Sequence, residues 1–173
     1  MTDVILTRDE QKKSIAYGKA MYQNKIDKGT IVPPVDKTRQ AYYLDVISVA
    51  SEMAVHKFLG IEYKFEIFDV RDEQDLVIKE ATVDIKLGKP QNYLLKVQKW
   101  HLEKKKFDYY IAVNQAVEGR IGKFLIAGFI SQEKFKLLSE LRTFRGYEDK
   151  PMYCLHYSQL SDIALMAFLQ ELP

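Results

Sequence analysis

The chain has 173 residues, a hydrophobic fraction of 47% and a formal net charge of +2. That length suffices for one domain with a sizeable core, and the near-neutral charge excludes a global attraction to nucleic acid or membrane, so any basic footprint must be local. The lone cysteine, Cys154, excludes an internal disulfide and fits a reducing compartment.

The opening residues have no apolar core of signal-peptide length, and no run reaches transmembrane length. The expectation is a soluble cytoplasmic protein with no membrane partner. Residues 6–27 read as a charged helix, with Thr7 as a cap before "RDEQ". The proline- and glycine-containing stretch "DKGTIVPPVDKT" reads as a loop and a hinge. This divides the chain into an N-terminal helical arm and loop over 1–35 and an α/β domain over 36–173.

A second helix is expected over 38–59, stopped by Gly60. It is apolar around much of its circumference, which predicts burial. Asp45, Ser48, Glu52 and His56 form a polar stripe along it. "YKFEIFDV" (63–70) reads as a strand, and 75–79 with 81–87 as an antiparallel hairpin turning at Lys79-Glu80. Residues 89–107 read as a helix, with Pro90 in its first turn and lysines at its end; a strand over 93–99 is the alternative. "FDYYIAV" (107–113) and "FLIAGFI" (124–130) read as buried strands, "RTFRGYEDKP" as a charged loop, "MYCLHY" as a short strand and 161–172 as a closing helix capped by Ser161. The expected fold class is α/β, a mixed sheet flanked by helices.

Alternation along 81–87 puts Thr82, Asp84 and Lys86 on one face and Val83, Ile85 and Leu87 on the other, which must go to the core. A tight turn at Lys79-Glu80 sets Asp75 opposite Asp84. Opposed side chains stand about 4.5–5.5 Å apart at Cβ, so two carboxylates there repel unless a proton or a cation intervenes. Magnesium accepts one or two carboxylates together with water and phosphate oxygens, and a bound metal acidifies water and stabilises anionic charge. Lys86 stands where it could position or deprotonate that water. This is the chemistry of phosphodiester hydrolysis. On these residues alone, a solvated strand face is the simpler reading.

An upstream Asp, a hairpin and then Asp84-Ile85-Lys86 resembles the PD-(D/E)xK nuclease superfamily, the restriction-endonuclease-like fold, over about residues 38–170. The expected element order, helix, three strands, helix, strand, is similar to that family's αβββαβ core, with extra C-terminal strands and a helix resembling small phage and bacterial members. The resemblance implies Asp84 as a metal ligand, Lys86 as the catalytic lysine, Asp75 as the upstream acid and Glu52 as the carboxylate from the first helix. Gln74 replaces the family's proline, which leaves Asp72 and Asp69 as substitutes for Asp75. It further implies Mg2+ or Mn2+, DNA as partner, pairing into a homodimer by analogy, and a host cytoplasm if the chain is phage-encoded. The alternative within the same fold is a catalytically inactive nucleic-acid-binding or assembly module.

Gln98 lies on the expected crossover helix, where the resemblance to several family members implies an approach to the site or the DNA; a solvated position fits it at least as well. "KWHLEKKK" joins Trp100 to Lys99, Lys104 and Lys105, a composition that suits phosphates and bases but also a helix C-terminus. The histidines His56, His101 and His156 lack zinc-site spacing. Cys154 reads as a small packing residue.

Overall fold

A computed structural model describes residues 1–29, 42–65 and 75–171, the last few without side chains. The expected strand over 63–70 falls largely outside these residues, as do Asp69 and Asp72. The architecture is mixed α/β. Among the described residues, one sheet has the order β1 (Thr2–Ile5), β6 (Lys123–Ser131), β5 (Tyr109–Gln115), β3 (Ala81–Gly88) and β2 (Leu76–Ile78). A smaller sheet runs β4 (Leu94–Gln98), β8 (Met152–His156), β7 (Glu140–Arg142).

The large sheet is covered on both faces. On one face, α1 (Arg8–Asp27), α2 (Tyr43–Leu59) and α5 (Ile163–Glu171) lie on a core that includes Ile47, Ala50, Ala54, Val83, Ile85, Ile111 and Ile126. On the other, the small sheet, α3 (Lys99–Lys104) and α4 (Gln132–Leu138) close a second core around Leu95, Val97, Leu102, Tyr110, Phe135 and Leu155. Among the described residues no helix is long and apolar enough to cross a membrane.

Local signals explain several boundaries. Thr7 caps α1 in a reciprocal capping box with Glu10. Gly60 ends α2 in the left-handed conformation expected of a terminal glycine. The hairpin turns at Lys79-Glu80, and Lys79 takes a positive φ of 56° to make that turn. The register Leu76↔Val83, continued by one residue, places Asp75 opposite Asp84.

The structure corrects four expectations. Residues 1–27 are no separate arm: β1 adds an edge strand to the large sheet beside β6, and α1 packs along α2. Residues 89–107 are not one helix. The weighed alternative holds there, a strand at 94–98, followed by the short α3, so Gln98 ends a strand. Leu87 is 38% exposed, whereas Asp84 is buried at 5%. The Asp84 face was read as the outer one, but the β4–α3 connection folds back over it. Finally, Asp162 rather than Ser161 caps α5, accepting from Ala164 N–H in its first turn, while Ser161 pairs its backbone with Phe129.

Candidate functional site

Glu52, Asp75, Asp84 and Lys86 come from α2, the residue before β2, and β3. The chain arrives at this place because β2 is short. Above Leu76 the ladder stops: Asp75 N–H still donates to Val83 O at 3.1 Å, and the Asp75 carboxylate then takes the next free amide, Ile85 N–H, at 2.6 Å. The side chain thus substitutes for a strand and is drawn over the edge of β3. Glu52 reaches the same region from α2, where its carboxylate accepts from Ser48 Oγ at 3.1 Å and Tyr63 Oη at 3.0 Å.

The three carboxyls are shifted in different directions. Burial raises the Asp75 carboxyl well above its ordinary range, and the charges of Glu52 and Asp84 push it further. Burial also raises Glu52, with Asp84 adding to it, and outweighs the Tyr63 and Ser48 hydrogen bonds. Asp84 goes the other way. Burial pulls it up, but hydrogen bonds from His101 and Lys86, together with the Lys86 charge, hold it below the usual carboxylate range. Its Oδ2 lies 2.6 Å from Lys86 Nζ and 3.0 Å from His101 Nε2.

His101 is the site residue that sequence reasoning passed over. It sits on α3, where the crossover from β3 to β5 lays it on the Asp84 face, and its Nε2 is 3.4 Å from Lys86 Nζ. Its ring stacks on Phe107 at 5.5 Å, which fixes its plane. Spacing to Asp84 carries no signal of this contact, because a crossover connection sets it. His56, unlike the half-buried His101, is buried. Its Nε2 lies 3.4 Å from the carbonyl of Asp75, its ring meets Tyr63 edge-on at 5.0 Å, and burial lowers its pKa. Asp45, at the start of the polar stripe, pairs with Lys25 at 2.5 Å instead of joining the site.

Lys99 and Lys104 are exposed beside the site, Lys105 is half-buried, and Gln98 accepts a hydrogen bond from the Trp100 indole. Cys154 is buried in β8.

The donors at hand are hard carboxylate oxygens, which suit magnesium or manganese and not a soft metal. Among the described residues no group of three or more His, Cys, Asp or Glu side chains stands in a ligating arrangement. The reason is visible: Glu52 faces Ser48 and Tyr63, and Asp84 Oδ2 faces Lys86 and His101. Asp75 and Glu52 form no ion pair with a lysine or arginine among the described residues; the Lys86 charge and the Ile85 amide favour the ionised Asp75, and Tyr63 and Ser48 the ionised Glu52, but burial outweighs them. A divalent ion held by one or two carboxylates fits this donor set. A scan of the chain against protein-family models matches none, and searches of curated proteins and of solved structures return no match.

Proposed function

We propose that this protein is a metal-dependent nuclease of the PD-(D/E)xK type that hydrolyses phosphodiester bonds of DNA. The single observation that carries the reading is the placement of Asp75 on β3: its carboxylate accepts from the amide of Ile85, the residue between Asp84 and Lys86, and Lys86 Nζ lies 2.6 Å from Asp84 Oδ2. The supporting context is that β2 and β3 form an antiparallel hairpin and β3 pairs parallel with β5 after a crossover.

Asp75 and Asp84 would hold Mg2+ or Mn2+, with Glu52 adjoining. When bound, the ion supplies an acidified water and charge stabilisation on the phosphate. The chain's own groups do the rest. Lys86 presents its ammonium to the attacking water or to the anionic phosphate oxygens, while Asp84 holds that ammonium in place. His101 shares Asp84 Oδ2 with Lys86 and holds that oxygen from a second direction. Ser48 and Tyr63 hold Glu52 in one orientation. Water oxygen bonds to phosphorus, one bridging P–O bond breaks, and the released oxygen takes up a proton.

One observation favours a second reading, a non-catalytic nucleic-acid-binding or assembly module. Asp84 Oδ2 is already engaged by both Lys86 and His101, so an internal cation stands where a metal would compete. Cleavage of labelled single- and double-stranded DNA with manganese separates the two. The nuclease reading requires Asp84→Ala and Lys86→Ala to lower the rate by about a hundredfold or more, the scale of a lost acid–base group. Equal activity in wild type and Asp84→Ala would overturn it.

A further inference from the structure

We infer that the substrate of this site is single-stranded DNA, with an unpaired base stacking on Trp100. The inference rests on the nuclease reading for its location beside the catalytic groups. Trp100 lies on α3, next in sequence to His101, and is 50% exposed. The indole thus offers an apolar face to solvent next to half-buried His101.

Its orientation is fixed. The indole Nε1–H donates to Gln98 Oε1, and the indole meets the His101 ring edge-on, with centroids 5.3 Å apart. His101 in turn touches Asp84 and Lys86. One side chain therefore separates the exposed indole from the catalytic pair.

The surroundings are cationic. Lys99, Lys104 and Lys106 are exposed and near it in sequence. The backbone of Lys99 donates to Pro151 O at 3.0 Å, which brings the loop carrying Lys150 alongside. Glu103 is the opposing charge on α3, at 3.9 Å from Lys99. Lysines with an aromatic face among them are the composition of single-strand binding: ammonium groups track phosphates, and bases stack on the ring whatever their identity. A paired base offers its face only to its neighbours in the stack, so an indole beside the scissile phosphate selects unpaired nucleotides.

The chain has one tryptophan, so its emission reports on Trp100 alone. The full-length protein in EDTA, where no metal-dependent cleavage occurs, is titrated with an oligo-dT strand and with a blunt duplex of equal length. The strand should quench emission strongly and the duplex weakly. Trp100→Ala should bind a labelled oligo-dT about tenfold more weakly or worse, and Trp100→Phe should retain most of the affinity. No quenching by the strand, equal quenching by the duplex, or unchanged affinity in Trp100→Ala would each overturn the inference. Quenching without any metal-dependent cleavage would sink the nuclease reading and leave the stacking surface standing; cleavage without quenching would do the reverse.

Discussion

Asp75 is raised because it is buried and then by the charges of Glu52 and Asp84, whereas Asp84, on the strand opposite, is lowered by hydrogen bonds from His101 and Lys86 and by the Lys86 charge. The sign of each shift fixes a pH response. Unfolded, these acids ionise near about pH 4. Between there and the raised folded values of Asp75 and Glu52, the folded state holds more protons than the unfolded one, so stability falls as pH rises through that window. Asp84 contributes the opposite slope, losing stability only as pH falls through its lowered value. Metal-free Asp75→Asn should remove much of the first slope. Its amide oxygen still accepts from Ile85 N–H, so its melting temperature should exceed wild type at about pH 8 and match it near about pH 4.5. Melting curves in EDTA across that range check this, and an unchanged slope would place the repulsion elsewhere. At this scale the sequence was informative where strand alternation rules. Asp84 and Lys86 share a face, and the Lys79-Glu80 turn puts Asp75 opposite Asp84 by register. His101 was hidden because nothing local to it encodes the approach of α3 to β3.

The element that places Glu52 is α2, and α2 is held by α1. Gly18 of α1 is buried, and a Cβ there would stand 2.5 Å from Val46 Cα, a backbone atom that cannot swing aside. Helix propensity alone predicts that Gly18→Ala stabilises by about 1 kcal/mol. The contact predicts the reverse, a loss of about 1–3 kcal/mol from overpacking, or about 2–4 °C of melting temperature per kcal/mol for a chain of this size. Thermal unfolding decides between the two signs. A gain in stability would mean that the helices are not packed this closely. The N-terminal boundary of α1 was legible because Thr7 and Glu10 are a local signature. Residues 94–98 were not, since Tyr93, Val97 and Trp100 fit a helical face while Leu95 and Val97 fit a strand face, and only pairing with β8 resolves the choice. The strand β1 offered four residues, too short a run for periodicity to declare itself.

For the whole molecule, the consequence is a sheet with two cores and a site at the end of its short β2 edge. The connection from β3 to β5 leaves the large sheet, lends β4 to the small one, and returns through α3. That path brings His101 onto Asp84 and leaves Trp100 outside, so the layer that buries the acid also carries the surface proposed for the strand. The fold class was readable from the mixture of helical and strand patterns. The burial of the Asp84 face was not, because it depends on β4 and α3 folding back, a tertiary choice that alternation in one strand does not record.

The central claim is that Asp75 and Asp84, with Glu52 beside them, form a divalent-cation site. Thermal unfolding of wild type and Asp84→Ala with increasing manganese tests it most directly. A native-state ligand at a hundred times its Kd stabilises by about 2.7 kcal/mol, and at about 2–4 °C per kcal/mol the wild-type melting temperature should rise by several degrees. Asp84→Ala should start lower, having lost a buried partner of Lys86 and His101, and should not respond. A wild type insensitive to manganese, or a variant that shifts equally, would contradict the metal site and move the protein to the binding-module reading.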